Sequence, residues 1–320
     1  MTPGSANRVL LRLAGAVFVL WAVATLTFFA MRLIPGDPAL AILGGPGSQA
    51  SPEALEQARR EHGLDQPLLV QYAAMLGRLL SGDLGSSYAL KVPVADLLAA
   101  QLPGTLLLAV CSLLVAWVIA IALALFSTGA GRIAASVGHG IELAGAALPH
   151  FWLATVLIAV FSTSLGWLPP VSSGDLSGLV LPVLTLAIPL AGFLAAIMRE
   201  SMLDALAQPY VLSARARGES ELGIRARHAI RHAAIPGVAL SGWALGSLLS
   251  GAVIVETIFA RPGLGRTLVQ AVTVRDVPVV TGVVLVVALV YVLMTLASDA
   301  ASAIVDPRQR AQASPQEVGA

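Results

Sequence analysis

Apolar residues in this chain come in long unbroken blocks, not in the alternating or one-faced patterns of a water-soluble domain. Six stretches contain no charged residue: 13–31, 97–131, 143–174, 176–198, 233–255 and 277–298. An α-helix rises about 1.5 Å per residue, so each block can cross the roughly 30 Å hydrocarbon core of a bilayer. They predict a first helix at 13–31 and further helices at about 103–127, 135–164, 179–200, 234–258 and 278–302. Residues 133–174 could hold two spans. One is expected, because Gly166-Trp167-Leu168-Pro169-Pro170 reads as an interfacial exit with tryptophan at headgroup depth. The expectation is an all-α polytopic membrane protein with six transmembrane helices.

Residues 32–101 form the one long polar section. Ser51-Pro52-Glu53 reads as a helix start, with a serine cap, proline in the first turn and an acid at the positive end of the dipole. Gly63 is placed to end that helix. Leu68, Tyr72, Met75, Leu76, Leu79 and Leu80 recur at three- and four-residue steps and predict an amphipathic helix. Pro93 and Pro103 are expected to bracket another short helix.

Charge sets the orientation. Arg132, the six arginines of the 199–233 loop, and Arg8, Arg12, Arg308 and Arg310 fall on one side of a six-helix chain. The opposite short loops carry Arg261, Arg266 and Arg275 only. The positive-inside rule therefore predicts both termini and the 199–233 loop in the cytoplasm, N-in and C-in. The first apolar run lacks a small-x-small cleavage pattern at its end and is expected to stay as a helix.

Composition agrees. Of 320 residues 57% are hydrophobic and 12% charged, with a mean hydropathy of +0.84; a soluble domain carries about 25% charge. Aromatic content of 5% without ten-residue alternation argues against a transmembrane barrel. Cys111 is the sole cysteine, so no disulfide or thiolate metal site forms within one chain. A net charge of +1 implies no nucleic-acid partner. The single lysine lies in Leu90-Lys91-Val92, so the chain has no Gly-Lys-Ser/Thr loop to hold ATP phosphates.

Three acids lie in or beside the apolar blocks: Glu142, Glu256 and Asp299. A charge at a helix centre costs about 2.5–3.5 kcal/mol on insertion scales, so each needs a partner or a wet cavity. Glu142 has His139 one turn earlier, which suits a structural hydrogen bond more than a proton relay. Glu256 is expected to reach the interface near Arg261 or Arg266, and Asp299 to be interfacial at the inner end of the sixth helix. His228-Ala229-Ile230-Arg231-His232 has the imidazole spacing of a zinc protease helix. It lacks the glutamate that such chemistry requires and sits among arginines, as a basic cytoplasmic helix would. No Gly-x-Ser-Gly or Gly-x-Gly-Asp pattern occurs, so no enzymatic site is expected. The distinctive feature is the cytoplasmic loop. Pro209–Arg217 reads as a short helix stopped by Gly218, and Glu219-Ser220-Glu221 restarts a second, arginine-rich one. Two short helices broken at a glycine make a rigid knob suited to a groove on a soluble partner.

These residues carry a family likeness. Tyr210-Val211-Leu212-Ser213-Ala214-Arg215-Ala216-Arg217-Gly218, followed by Arg227-His228-Ala229-Ile230-Arg231-His232-Ala233-Ala234-Ile235-Pro236, resembles the signature of binding-protein-dependent ABC importer permeases of the dipeptide/oligopeptide/nickel branch. Arg217 stands where lysine is commoner, and His232 where asparagine is. Arg32-Leu33-Ile34-Pro35-Gly36-Asp37-Pro38, Gly63-Leu64-Asp65-Gln66-Pro67, Gln71-Tyr72 and Gly82-Asp83-Leu84-Gly85 resemble the first extracytoplasmic segment of the B-type member of a permease pair. Pro149-His150-Phe151-Trp152, Glu256-Thr257-Ile258-Phe259, Pro262-Gly263-Leu264-Gly265, Arg275-Asp276 and Asp306-Pro307-Arg308 extend the likeness to about residue 310.

The resemblance implies a type I ABC importer transmembrane-domain fold in the cytoplasmic (inner) membrane. It divides the chain into residues 1–31 (N-terminus and first helix), 32–101 (extracytoplasmic, with amphipathic helices), 102–310 (the transmembrane core with a coupling loop at 200–233) and 311–320 (a disordered tail). The implied partners are a second homologous permease, two ATPase subunits that bind ATP and Mg, and an extracytoplasmic solute-binding protein. The chain itself would hold no cofactor or metal and would not be an enzyme. Tyr210, Ala214, Arg215, Ala216, Arg217, Gly218 and Glu219 would couple to the ATPase, and Glu256, Phe259, Arg275 and Asp276 would lie at the outer mouth. Short peptides are the implied cargo, with nickel or another metal chelate and glutathione as alternatives. A different class, an ion-coupled secondary transporter, would need intramembrane coupling residues and usually an internal repeat. No convincing repeat relates the two halves.

Overall fold

The computed structural model describes residues 3–44, 49–129, 131–172 and 175–305, with side chains placed from residue 10 to residue 298. The expected disordered tail, Arg308 and Arg310 lie outside the described residues, and the side chains of Arg8 and Asp299 outside the described side chains. In chain order the helices are α1 (Pro3–Leu33), α2 (Pro38–Ile42), α3 (Pro52–Glu61), α4 (Leu68–Leu80), α5 (Val94–Ser127), α6 (Arg132–Ala147) and α7 (His150–Leu157, extended by a π-helical stretch Ile158–Ser164). They continue with α8 (Ser177–Leu206), α9 (Pro209–Ala216), α10 (Glu221–Ile224), a π-helical turn Arg225–Ala229, α11 (Ile230–Ile258), α12 (Leu264–Thr273) and α13 (Val277–Val305).

Among the described residues, five helical stretches are long and apolar enough to cross a membrane: Leu10–Leu33, Val94–Ser127, Ser177–Leu206, Glu221–Ile258 and Val277–Ser298. A sixth is a broken pair, Arg132–Ala147 and His150–Ser164, whose axes turn by 104°. The expected straight helix over 135–164 is therefore interrupted at Leu148-Pro149. Leu148 takes the extended conformation (ψ 122) that a following proline favours, and Pro149 has no N–H to carry the helix on. A second expectation also fails. Pro93 and Pro103 do not bracket a short helix, because α5 runs unbroken from Val94 through Pro103. Proline is tolerated inside membrane-crossing helices more often than inside soluble ones. Here the Leu264 N–H donates to Thr105 Oγ1 at 2.8 Å, and a Cβ on Gly104 would stand 3.0 Å from the Pro262 carbonyl.

The chain divides into two compact units, one of residues 1–105 with 262–292 and one of residues 106–261 with 293–320. In the first, Met31, Val94, Leu98, Leu264, Ala271, Val279, Val280 and Val283 form an apolar core. Ala24 and Phe28 of α1 meet Met75 and Tyr72 of α4, and the Tyr72 hydroxyl pairs with Thr25 Oγ1 at 2.7 Å. Leu68 and Leu80, the outer members of the periodic set, stay exposed. Ser51 caps α3 by accepting from the Ala54 N–H, and Gly63 turns the chain at φ +61. Asp37 caps α2 through the Ala39 N–H at 2.9 Å and pairs with Arg59 at 2.5 Å. The node of this unit is Asp276. Nearly fully buried, it accepts from Ser87 Oγ at 2.5 Å, from the Ala89 N–H at 3.0 Å and from the Val279 N–H in the first turn of α13 at 3.4 Å.

In the second unit α8 is the central element, packed by α6, α7 and α11. Much of its length is buried, largely through Ala, Gly, Leu and Pro. Lipid tails are as apolar as leucine, so membrane helices associate through close packing of small residues. At the α6–α8 crossing a Cβ on Gly192 would lie 2.6 Å from the Glu142 carbonyl and 3.0 Å from the Gly145 carbonyl carbon. Gly237 faces the ring of Trp117, and the Trp117 indole N–H donates to Ser241 at 3.1 Å.

Two outcomes test this packing. Gly192→Ala pushes the α6 and α8 backbones apart and is expected to cost about 1–3 kcal/mol, read as a lowered unfolding midpoint of the purified chain. Asp276→Ala strands one hydroxyl and two backbone donors and is expected to cost about 2–4 kcal/mol in the same assay. An unchanged midpoint would contradict either role.

Candidate functional site

The loop between α8 and α11 folds into a self-supporting hairpin. Pro209 occupies the first turn of α9, where its missing N–H costs nothing, and Gln208 precedes it in an extended conformation. The far end of α9 closes in a two-bond glycine motif. The Glu219 N–H reaches the Ala214 carbonyl at 3.2 Å, and the Gly218 N–H reaches the Arg215 carbonyl at 2.9 Å. This requires Gly218 at φ +81, a conformation other residues adopt at a cost. Ser220 then caps α10 by accepting from the Gly223 N–H at 3.1 Å.

Side chains tie the two arms together. Arg215 grips Glu221 in a two-pronged pair, Nε to Oε1 at 2.7 Å and Nη2 to Oε2 at 3.1 Å. Glu219 pairs with His228 at 2.9 Å and lies 3.9 Å from Arg227. Val211, Ala214 and Ile224 are buried against each other, with Leu206 and Tyr210 packed around them. The hairpin is anchored to its unit at two points. Arg225 donates to the Leu125 carbonyl at 2.6 Å, near the end of α5, and the Tyr210 ring lies 5.9 Å from that of His232. A cavity of about 430 Å³ behind it is lined by Ser201, Asp204, Gln208, Tyr210 and His232.

The structure thus brings the seven predicted coupling residues into one hairpin. Their parts differ. Ala214 is interior, Tyr210 is an anchor, Gly218 and Glu219 shape the turn, and Arg215, Ala216 and Arg217 are exposed. The pairing of Arg215 with Glu221, six residues on, follows no helical spacing and was not foreseen. Nor were Leu212 and Leu222, which stand 68% and 59% exposed on an otherwise self-packed hairpin. Their signal in the sequence is faint: two large apolar residues in the only strongly basic stretch.

The four outer residues separate into two pairs. Glu256 and Phe259 belong to the unit that holds α8, and both are fully buried. The carboxylate expected at the interface near Arg261 or Arg266 is thus closed off by protein and not exposed. Ala260 at φ +49 folds the chain back so that the Arg261 N–H caps the Glu256 carbonyl at 2.8 Å, and the Phe259 carbonyl accepts from the Ser172 N–H at 2.9 Å. Arg275 and Asp276 belong to the other unit. Arg275, at φ +58, donates to the Pro35 carbonyl beside Gly36, and Asp276 is the buried node already described. Glu142 is also buried, 3.4 Å from His139 Nδ1, as the one-turn spacing predicts. Among the described residues no cluster of three His, Cys, Asp or Glu could hold a metal ion.

Comparison with known proteins matches this arrangement. Residues 116–311 match the family described as binding-protein-dependent transport system inner membrane component, and residues 7–109 match its N-terminal companion. A protein of Brucella abortus (strain 2308), named as a peptide transport system permease, is 38% identical over 319 residues, covering 94% of this chain and 98% of its own. The glutathione transport system permease protein GsiC of Salmonella typhi is 38% identical over 307 residues, covering 95% and 99%. A chain from an inward-facing crystal form of the MetNI methionine ABC transporter shares the fold. Its TM-score is 0.54 at 20% identity, over 66% of this chain and 96% of that one. A hairpin between membrane-crossing helices, a family match over most of the helical core and relatives matched nearly end to end lead to one conclusion: this chain belongs to the inner membrane components of binding-protein-dependent transport systems.

Proposed function

We propose that the chain is one half of the translocation pathway of an ABC importer for short peptides, driven by ATP hydrolysed on separate subunits. The observation that carries this reading is the α9–Gly218–α10 hairpin. It is braced by its own core and by the Arg215–Glu221 pair, and it leaves Leu212, Leu222 and Arg217 exposed. A rigid basic hairpin with two apolar tips suits a groove on an ATPase subunit. The arginine bias supports a cytoplasmic position for this hairpin and both termini, with the chain in the inner membrane.

In the proposed cycle, ATP binding closes a pair of ATPase subunits and pulls the hairpin. The pull passes through Arg225 to the end of α5 and through the continuous helical path 221–258 to α11. The membrane helices then exchange inward for outward access beside a second, homologous permease. A solute-binding protein delivers cargo at the opposite face, and hydrolysis resets the inward state. Arg275 and Asp276 would serve that outer end by bracing residues 35–89, and Glu256 and Phe259 by holding the turn after α11. The names of the relatives support a peptide cargo, since glutathione is itself a tripeptide.

The test is substrate-stimulated ATP hydrolysis by the reconstituted importer. Gly218→Pro cannot adopt φ +81 and is expected to abolish stimulation while the permease stays in the membrane. Leu212→Asp with Leu222→Asp is expected to lower ATPase co-purification about tenfold or more. Arg215→Glu alone should impair coupling, and adding Glu221→Arg should restore part of it by re-forming the brace. Normal stimulation in all of these variants would remove the docking role.

A further inference from the structure

A cavity of about 320 Å³ lies beside the C-terminal end of α1, inside the unit that carries the polar segment. Phe28, Arg32, Gln71, Arg78, Tyr88 and Thr281 line it. Arg32 is held in place on two sides. Its guanidinium carbon lies 5.2 Å over the Phe28 ring, and Nη2 donates to Gln71 Oε1. Gln71 cannot turn away, because its amide nitrogen donates to the Leu64 carbonyl at 3.1 Å and the Gln66 carbonyl at 2.7 Å. Both amide hydrogens are used, so only the oxygen can face the arginine.

Donors are left over. Arg32 Nε is buried with no hydrogen-bond partner. Thr281, 5% exposed, has a buried hydroxyl that is equally unpartnered. Burial pushes the Tyr88 phenol up, against the opposing pull of Arg78 and Arg32, so it remains protonated and able to donate. Two acids also line the cavity, Glu61 and Asp83; both are exposed, where solvent screens their charge, and each accepts within the chain, Glu61 from Gln57 Nε2 at 2.8 Å and Asp83 from the Gly85 N–H at 2.8 Å. Buried donors without acceptors are costly where water is scarce, and a preorganised arginine fork matches the oxygens of phosphate.

We propose that this cavity is a binding site for a phosphate oxyanion, held by Arg32 with Arg78, Tyr88 and Thr281. Two sources share that chemistry, a phospholipid headgroup and free phosphate. The headgroup is favoured by position. Arg32 is the penultimate residue of a membrane-crossing helix, and the neighbouring α4 exposes Leu68, Leu69 and Leu80, an apolar edge of the kind that lies in the headgroup region.

The test is ligand-dependent thermal stabilisation of the full chain in mild detergent. The probes are dioleoylphosphatidylglycerol, dioleoylglycerol (the same lipid without its phosphate) and inorganic phosphate. Wild type is expected to gain about 2–4 °C with the phospholipid and not with dioleoylglycerol. Arg32→Gln should lose that gain, and Arg132→Gln, an exposed arginine outside the cavity, should keep it. A gain with inorganic phosphate alone that also needs Arg32 would assign the site to free phosphate. Should Arg32→Gln fail to fold, Tyr88→Phe combined with Thr281→Val removes two hydroxyls and little volume, and should at least halve the gain. Equal stabilisation of wild type and these variants, or the same gain with dioleoylglycerol, would overturn the proposal.

Discussion

Inside a bilayer a backbone N–H or C=O that finds no partner within the protein finds none at all, and the rest of this structure is arranged around that constraint. It makes every crossing segment helical. It also concentrates the consequences at the prolines, which remove donors from helices that water cannot repair. Pro149 ends one helix and begins another at 104°, and Leu148 and Leu153 re-enter hydrogen bonding on either side of it. Pro103 has the opposite outcome. There the chain from Pro262 to Leu264 closes on Gly104 and Thr105, and the helix continues. The same residue type thus stands at the break of one span and inside the unbroken helix of another.

With hydrogen bonding settled within helices, association falls to shape. The second unit is assembled around α8, whose glycine and alanine positions let backbones approach where larger side chains would hold them apart. Such contacts are short-ranged, and they leave little free volume for side chains to rearrange. The hairpin between α8 and α11 is joined to that frame covalently and through Arg225 and Tyr210. It has its own small core and its own ion pairs, which hold its two arms together.

The polar segment between α1 and α5 follows different physics. Its order comes from capped short helices, small apolar clusters and one buried carboxylate. Asp276 joins Ser87, Ala89 and the start of α13, residues nearly 190 positions apart in the chain. In the same unit Arg32, near the C-terminal end of α1, is oriented by Gln71 but keeps a buried Nε without a partner, a costly state for a buried donor.

Long charge-free blocks and the placement of glycine and acids in the arginine-rich loop were sufficient, from the sequence alone, for the helix count and the two-helix form of the hairpin with its stop at Gly218. Hydropathy and glycine placement act locally, and local patterns can be read along a chain. Ser51, Gly63 and the His139–Glu142 spacing were legible for the same reason. The bend at Pro149, the passage of α5 through Pro103, the burial of Glu256 and the grip of Arg215 on Glu221 were not. The bend has a local cause in Leu148-Pro149, yet the same residue type stands inside unbroken α5, so proline alone did not announce it. The burial of Glu256 and the grip on Arg215 depend on what the folded chain places beside the residue: a reversed turn at Ala260 and a second helix across from Arg215. Composition and periodicity determined which segments enter the membrane. Only tertiary packing decided which of their charged and helix-breaking residues found partners there, because a partner distant in sequence leaves no periodic trace.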